Sequence, residues 1–465
     1  MSHVPKGPLA AALLALFCPL SAHAADEDEG RRWLAGDHHV HSEWSVDWDR
    51  STTPPTPIPG GDSRYTRTRN AQVAQANGLA WLVHTDHGGP GHSAVTRDQA
   101  WPALLEARQA VPGLVQFGGM EFDVPAGEHA SVILPLGDDE REHAFVIERD
   151  HGRSEPLQGK RDTDAQMRDA LRHMDGLAQR PLMFINHPSR TATALGQWGE
   201  VEPSELIAWH DTAAQVLVGM EGAPGHQATT TERGLYRNAA APTLGGFDQM
   251  TAQVGGVWDA ILASGRRFWI TATSDSHVNV RDGGSDFDPG QYSKTYVWAR
   301  PEAGDIFAGL REGRMFAVTG DLVDAVELRV STLDAHGRLL ASARMGETLA
   351  AGAGASLRVQ LRVRQPTTPN HHDQRPALKH LELIVGEAGQ GKTPRMRTRR
   401  FDAGQWQREG DWITAQWHLP MPTAGGFVRA RGSSTDEVTP LPDTKGEDPW
   451  QDLWFYSNPV FIKRS

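Results

Sequence analysis

Short apolar runs that alternate with helix-like segments, and that each lead into a histidine or an acidic residue, constrain the fold of this chain most. The runs LAWLVH, LVQFGG, PLMFIN, VLVGM and RFWITAT each precede such a residue within a few positions. Helices are predicted between them, at residues 65–77, 102–109, 163–178 and 247–263. Strands that alternate with helices of this length pair in parallel through crossover connections.

Roughly seven such strand–helix units, buried on both faces, favour a closed α/β barrel over residues 33–320. The histidines and carboxylates would then meet at the C-terminal ends of the strands, where barrel enzymes assemble their sites. An open, doubly wound sheet gathers ligands at the same end and is the alternative. No glycine-rich dinucleotide or phosphate loop opens a helix in this sequence, which favours the barrel.

The segment GDHHVHS (residues 36–42) places His39 and His41 on one face of a strand end, because side chains on a strand repeat every second residue. Two imidazoles on one face suit a metal ion. With 21 histidines in 465 residues, one such pair carries little weight by itself. Asp275 and His277 repeat the spacing after another apolar run, and this recurrence indicates a metal site.

Glu121 ends a third apolar run, where a carboxylate is costly to bury unless it is paired or bound to metal. Its two oxygens make it a natural bridge between two cations. His129 precedes the next apolar run, which is consistent with a hairpin that returns it toward Glu121. Taken singly, His129 is more often a structural histidine than a ligand.

Three further candidates come from loops that follow strands. His187 lies between a strand and a proline, where the chain must turn. His87 is the stronger candidate in its segment, and Asp86 would orient an imidazole from behind or complete the cage. Asp47, six residues beyond His41, is a further candidate, and the neighbouring acidic residues compete with it for this role.

Residues 1–24 have the pattern of a secretory signal peptide. Lys6 precedes an apolar core of about a dozen residues, too short for a membrane span, and a small-x-small motif predicts cleavage after Ala24. A lipoprotein signal acylated at Cys18 is the alternative. The prediction is a periplasmic or secreted protein with no membrane span elsewhere in the chain.

Cleavage after Ala24 would remove Cys18, the only cysteine. No disulfide could then form, and any metal would be held by nitrogen and oxygen ligands. The formal net charge of −12, together with the apparent lack of a basic run, argues against nucleic acid as a partner.

The last third of the chain changes character. From residue 323 onward, apolar and polar residues alternate in VELRVST, SLRVQLRV and DWITAQWHL, which predicts an antiparallel β-sandwich over residues 323–465. The segment 371–373 is expected to be exposed rather than metal-binding. Core and interface packing is favoured over ligand binding for most of the late tryptophans, Trp406, Trp412, Trp417, Trp450 and Trp454.

The order GDHHVHS, TDH, GMEF with a later histidine, NHPSR and SDSH resembles the PHP (polymerase and histidinol phosphatase) superfamily. The resemblance covers residues 33–320 and implies a distorted (β/α)7-type barrel that holds two or three Zn, Mn or Fe ions and hydrolyses phosphate esters. His84 departs from the pattern, since an apolar residue usually stands there. A hydrogen-bonded wall residue is the favoured interpretation of His84, ahead of a substrate contact or a proton shuttle.

By motif, the resemblance implies a ligand set in which Glu121 bridges: His39, His41, Asp47, His87, Glu121, His129, His187, Asp275 and His277. The transfer to Asp47 is the least secure, because that position varies in the superfamily. The β-rich tail and the ending DLWFYSNPVFI are similar to those of exported members, some of which resemble the carbaryl-hydrolase group that cleaves a carbamate ester.

The expected function is that of a metal-dependent hydrolase of a small-molecule phosphate ester or other ester, with a metal-bridging hydroxide as nucleophile. Arg190 is the candidate for neutralising phosphate oxygens, with Arg64 or Arg67 as alternatives. His226 is a candidate proton donor to the leaving group. A carboxyl or carbamate esterase and a non-catalytic metal or glycan binder remain alternatives, and the oligomeric state is left open.

Overall fold

The structure is a computed structural model that describes residues 29–156, 159–225, 239–334, 336–352, 354–387 and 393–465. The signal-peptide prediction for residues 1–24 therefore lies outside the described residues. Within the described ranges, no helix has both the length and the apolar character needed to cross a bilayer.

The strands of the first region lie between residues 32 and 319. In chain order they are β1 (Arg32–Asp37), β2 (Asp47–Asp49), β3 (Thr56–Ile58), β4 (Trp81–His84), β5 (Val115–Asp123), β6 (His129–Ile133), β7 (Leu182–Ile185), β8 (Leu217–Ala223), β9 (Trp269–Ala272), β10 (Ser293–Ala299) and β11 (Met315–Thr319). The α-helices are α1 (Arg67–Ala76), α2 (His92–Val95), α3 (Trp101–Ala110), α4 (Glu140–His151), α5 (Asp164–Asp175), α6 (Pro203–Thr212), α7 (Gln249–Ala252), α8 (Val257–Ala263) and α9 (Ala303–Glu312).

Local sequence signals account for the helix boundaries. The side chain of Thr66 accepts a hydrogen bond from the backbone N of Arg69 and caps α1, and Gly78 follows with a φ of +81°. The stretch 247–263, predicted as one helix, is divided into α7 and α8. Gly255, with a φ of +79°, and Gly256 lie between the two helices and interrupt the helical backbone.

One large mixed sheet runs through the first region. Strand β1 pairs in parallel with β4, and β4 with β5; β7, β8 and β9 are also parallel. The prediction of uniform parallel pairing is wrong at β6, which is antiparallel to both β5 and β7. A short loop, too short to hold a crossover helix, joins β5 to β6 and makes the hairpin expected for His129.

The loops that follow β1 and β9 meet at one edge of this region. Val40 and Ser276 form an isolated parallel bridge, in which the backbone N of His41 donates to the carbonyl of Ser276 at 3.0 Å. Among the described residues this bridge, rather than a ladder, connects the two segments. The architecture is therefore mixed α/β with a large mixed sheet, and it brings the C-terminal ends of β1 and β9 together.

The strands of the second region are β12 (Ala325–Leu333), β13 (Leu339–Arg344), β14 (Thr348–Ala351), β15 (Ser356–Arg364), β16 (His380–Glu387), β17 (Arg395–Asp402), β18 (Gln407–Glu409), β19 (Trp412–Pro420), β20 (Gly426–Ser433), β21 (Trp454–Ser457) and β22 (Val460–Arg464). They pair antiparallel, except that β14 and β22 pair in parallel. A separate five-stranded sheet has the order β13-β12-β15-β19-β18. Along β15, buried residues alternate with more exposed ones, as the alternating sequence predicts.

The large sheet does not stop at the predicted boundary near residue 320. Strand β21 pairs antiparallel with β11, so strands of the second region extend the sheet of the first. Buried Phe427, Trp454, Tyr456 and Phe461 belong to the apolar core of the first region. The tail is thus packed into the N-terminal region rather than tethered beside it.

The late tryptophans and histidines lie mostly where packing predicts. Trp454 is fully buried, Trp450 packs against Tyr292, and Trp406 and Trp417 pack at the margin of the second core. The guanidinium of Arg362 lies over the ring of Trp412, with its Cζ 4.5 Å from the ring centroid. The segment 371–373 is exposed, as expected.

Candidate metal centre

The sequence-predicted ligands come from strand ends that share one edge of the large sheet. His39 and His41 follow β1, His87 follows β4, and His187 follows β7. Glu121 lies within β5. Asp275 and His277 follow β9, and His129 opens β6. The topology therefore gathers residues that are separated by more than 230 positions in the chain, as Asp275 and His41 are.

Three groups of ligand-type atoms form at this edge, with atoms within 4.8 Å of one another inside each group. We call them the inner group (His39, Glu121 and His187), the middle group (His39, His41 and Asp275) and the outer group (His41, Asp62, His87 and His277). The three share His39 or His41, so they form one continuous centre.

Glu121 lies at the middle of the buried part of this centre. Its Oε1 is 3.1 Å from Nε2 of His39, 3.2 Å from Nε2 of His187 and 3.0 Å from Nδ1 of His129. Its Oε2 is 3.6 Å from Nε2 of His41. A carboxylate with imidazoles on both oxygens has the geometry of a bridge between two cations.

The outer group is open to solvent, whereas the inner group is closed. The side chains of Asp62, His87 and His277 are 32%, 25% and 17% exposed. By contrast, His39 is fully buried and Glu121 is 3% exposed. A ligand arriving from solvent would therefore meet the outer group first.

Asp47, predicted as a ligand, does not lie with the other candidate ligands. Asp47 is exposed in β2, where it pairs with Ile58 of β3, and it lies outside the three groups. Asp62, which the sequence analysis missed, takes that place. Its Oδ2 lies 3.0 Å from Nε2 of His87 and 3.1 Å from Nε2 of His277. Spacing from His41 could not find Asp62, because a Pro- and Gly-rich loop intervenes.

His39 and His41 each form a hydrogen bond through Nδ1, the ring nitrogen that points away from the centre. Nδ1 of His39 lies 2.7 Å from Oε1 of Glu221, and an ionised carboxylate can only accept, so this nitrogen donates. Ser45 donates its single hydroxyl proton to Asp86 at 3.0 Å. Its oxygen, 2.8 Å from Nδ1 of His41, therefore accepts from that ring. Asp86 thus orients an imidazole through Ser45, one of the two roles predicted for it.

The orientation of these two rings bears on whether the residues fit metal ions. With Nδ1 protonated on both rings, the Nε2 lone pairs of His39 and His41 face each other at 3.0 Å. Oδ1 of Asp275 lies 3.1 Å and 3.0 Å from them. Lone pairs and a carboxylate converging on one point repel unless a positive charge, either a proton on one ring or a metal ion, lies between them. The donor set of imidazole nitrogens and carboxylate oxygens therefore fits divalent cations such as zinc, manganese or iron.

The pKa shifts reflect the same demand for positive charge. Burial opposes the charged form of His39, but the carboxylates of Asp275, Glu121 and Glu221 outweigh it and raise its pKa well above 6.5. Burial and the neighbouring His277 lower the pKa of His41 to about 4. Against the effect of burial, His129 and His39 hold the pKa of Glu121 well below 4.5.

Two of the ligand candidates have left-handed backbones. His187 has a φ of +28° and Asp275 a φ of +47°, a region that residues with a Cβ rarely adopt. Such conformations persist only where surrounding contacts over-determine them, and they concentrate at functional sites. At these two candidate ligands, contacts within the centre must therefore offset the cost of the backbone conformation.

An open cavity of about 470 Å³ lies over the outer group and is lined by His129, Arg190, Ser285 and Asp286 among others. Arg190 donates to Oε2 of Glu128 from Nε at 2.8 Å, and its Nη2 lies 2.7 Å from the same oxygen. His226, the predicted proton donor, lies outside the described residues.

The remaining candidates have structural partners. Arg67 forms a buried pair with Asp86 at 2.7 Å, and Arg64 donates to the carbonyl of Asp282. His84 is buried, with its Nε2 3.1 Å from Oε1 of Gln116, which matches the wall role favoured from the sequence. None of the three lines the cavity described above.

Comparison of the chain with models of known protein families found no match. A search of curated proteins likewise found no significant relative.

Proposed function

We propose that this chain is a metal-dependent hydrolase of small-molecule esters, with phosphate esters as the first candidate substrates. The observation that carries the proposal is the convergence of His39, His41, Glu121, His187 and Asp275, buried, at one sheet edge beneath an open cavity.

The inner, middle and outer groups would hold two or three divalent cations. Bound there, such ions would lower the pKa of a water molecule toward neutrality and stabilise negative charge on the attacked group. Glu121 would be shared between two of the ions, and Asp275 would help to hold the ion of the middle group. Glu221 and Asp86 would keep the imidazoles of His39 and His41 in the ligating tautomer.

Arg190 would orient a substrate oxygen at the wall of the cavity. Glu128 fixes the guanidinium through two of its nitrogens, so the group is held in one orientation. Burial opposes the charged form of Arg190, but Glu128 and then Glu121 raise its pKa further. Arg190 would therefore present a permanent positive charge to the substrate.

A carboxyl or carbamate ester is the second candidate substrate, and one observation favours it. Arg190 is the only arginine or lysine among the described residues that line the cavity. Its charge is already paired with that of Glu128. Asp62 and Asp286 add negative charge to the same cavity. A neutral ester meets less repulsion there than a dianionic phosphate monoester does.

The broader proposals follow from the motif order. We infer a PHP-type protein in which residues 33–320 form a distorted (β/α)7 barrel and residues 323–465 a β-sandwich. The N-terminal segment would direct the chain to the periplasm or outside the cell. Support comes from the motifs and from the shared sheet edge at which they lie.

The test combines metal analysis with a substrate screen. Purified protein would be assayed by elemental analysis and with p-nitrophenyl phosphate, its bis ester, naphthyl esters and aryl carbamates. We expect two or three metal ions per chain and turnover of one ester class that EDTA abolishes and added Mn²⁺ or Zn²⁺ restores. Metal binding without turnover of any class would contradict the hydrolase proposal and favour a metal-binding protein.

A further inference from the structure

Glu221 forms hydrogen bonds with two histidines of the inner group. The atoms it contacts are Nδ1 of His39 and the backbone N of His187, which leave Nε2 of each ring for a metal. Glu221 lies in β8 and is fully buried. Its Oε1 accepts from Nδ1 of His39 at 2.7 Å and from the hydroxyl of Thr273 at 2.7 Å. Its Oε2 accepts from the backbone N of His187 at 2.6 Å. Each oxygen thus fixes one histidine.

The bond to His39 decides which ring nitrogen is free to bind a metal. Because Oε1 of Glu221 accepts a hydrogen bond from Nδ1, Nε2 is the nitrogen of His39 that can bind a metal in place of a proton. That atom is 3.1 Å from Oε1 of Glu121 and 3.1 Å from Oδ1 of Asp275. Without Glu221, the other tautomer or a ring flip would become accessible.

The bond to His187 holds a strained backbone. At a φ of +28°, His187 needs contacts that offset the cost of its conformation. The 2.6 Å bond from its backbone N to Oε2 of Glu221 is one such contact. It places the ring so that Nε2 lies 3.2 Å from Oε1 of Glu121.

The outer group is held by different residues. Ser45 and Asp86 orient His41, and Oδ2 of Asp286 accepts from the backbone N of His277 at 2.9 Å. The hydrogen bonds described for Glu221 go to His39, His187 and Thr273, whereas those described for His277 and Asp62 go to other residues. A change at Glu221 should therefore act on part of the centre only.

From these contacts, and resting on the function proposed above, we propose that Glu221 is a positioning residue that sets the metal affinity of the inner group and, through His39, of the middle group. Its carboxylate fixes His39 and His187, whose ligand atoms lie within 4.8 Å of each other and of Glu121. The outer group keeps its affinity when Glu221 is changed.

The experiment is a Co²⁺ titration of the metal-free full chain, followed by visible absorbance of the bound ion. Glu221→Gln retains the size of the side chain but replaces one acceptor oxygen with a donor. We expect it to weaken the Co²⁺ phase of the inner and middle groups by about 10- to 100-fold and to leave the phase of the outer group unchanged. Asp62→Asn should weaken that outer phase, which tells the two phases apart.

Asp248→Asn is the matched control. Asp248 is also fully buried, and it accepts from the backbone N and hydroxyl of Ser189 and from the backbone N of Met250 at 2.8–3.0 Å. It bonds to no candidate ligand in these contacts. The control should lower thermal stability without a selective change in either Co²⁺ phase.

Two results would overturn the proposal. One is a Glu221→Gln isotherm identical to that of the unaltered protein; the other is equal weakening of all phases, as a general loss of structure would cause. If Glu221→Gln does not fold, Glu221→Asp keeps the charge but shortens its reach, and the same selective weakening is expected. Selective weakening in a protein that hydrolyses no ester would support this inference while contradicting the hydrolase proposal.

Discussion

At the level of single residues, the candidate centre depends on which nitrogen each imidazole presents. His39 and His41 both engage Nδ1 with acceptors, so their Nε2 atoms point toward each other and toward Oδ1 of Asp275. Their acceptors, Glu221 and Ser45, lie 182 and 4 residues away in sequence. The nitrogen that each ring presents is therefore decided by its partner, which is near along the chain for His41 and far along it for His39.

The first prediction compares two aspartates of the same connecting region. Asp62→Asn should lower the affinity of the outer group by at least about 10-fold, because it removes the anionic ligand between His87 and His277. Asp47→Asn should leave metal content and stability unchanged, since Asp47 is exposed in a hairpin. Metal per chain after dialysis against limiting Zn²⁺ distinguishes them. Equal loss in both variants would contradict the assignment of Asp62.

The second prediction concerns a buried carboxyl group behind the loop that follows His87. Burial, and then the neighbouring Glu148, raise the pKa of Glu155 from 4.5 to about 7. The folded state therefore binds its proton more tightly than the unfolded state does. From this group, stability is greatest below pH 4.5 and declines as the pH rises to about 7.

Glu155→Gln should remove this decline. At pH 8 the variant should gain up to about 3 kcal/mol in unfolding free energy relative to the unaltered protein, and at pH 4.5 little or nothing. His92 remains as a second titrating group, since burial opposes its charged form but Glu148 raises its pKa to about 9. Urea unfolding at both pH values measures the difference, and an equal effect at the two pH values would contradict the pKa assignment.

At the level of secondary-structure elements, helix α8 and strand β20 are joined by an ion pair with no exposure to solvent. Asp259 accepts from Nε and Nη2 of Arg429 at 2.6 Å and 2.8 Å. Both side chains are 0% exposed. The pair joins the first region to the second, so a change there should affect the association of both.

The third prediction follows from that pair. Asp259→Asn leaves a buried guanidinium without its counter-charge and should destabilise the fold by about 3–5 kcal/mol. Replacing both residues, Asp259→Leu with Arg429→Met, should recover part of the loss, because no unpaired charge remains. Chemical denaturation of the single and double variants tests this. A double variant no more stable than the single one would show that the pair itself, rather than the unpaired charge, matters.

At the level of the whole molecule, the large sheet and the core of the first region both include residues of the second region. Strand β21 supplies the partner of β11, and Trp454, Tyr456 and Phe461 fill the core of the first region. Removing them would expose both a strand edge and apolar surface. Stability of the candidate metal centre should therefore depend on residues far from it.

The fourth prediction is that a chain ending at residue 322 will not fold to a metal-binding form. Without β21, the edge of β11 lacks its partner, and each lost buried aromatic costs about 3–5 kcal/mol. The full chain should unfold in one cooperative transition seen both by circular dichroism and by Co²⁺ absorbance. A soluble truncated chain that binds Co²⁺ with the same isotherm would show that the first region folds alone.

Sequence alone was enough to select most of the histidines and carboxylates that the structure brings together. His39, His41, His87, His187 and His277 each follow an apolar strand by a few positions, and this relation is local. Period-two spacing and strand-ending loops are properties of a few consecutive residues, so pattern reasoning captures them. The mixed α/β character and the antiparallel pairing of the tail follow from patterns of the same short range.

Tertiary structure decided the rest. Asp62, rather than Asp47, lies beside His87 and His277 because a loop folds back over them. Glu221 contacts His39 although four strands separate β8 from β1 in the sheet order, because the ends of these strands come together. Strand β6 runs antiparallel because a short loop returns it beside β5. These outcomes depend on contacts between residues far apart in sequence, whose pairing is set by the packing of the whole chain rather than by any local pattern.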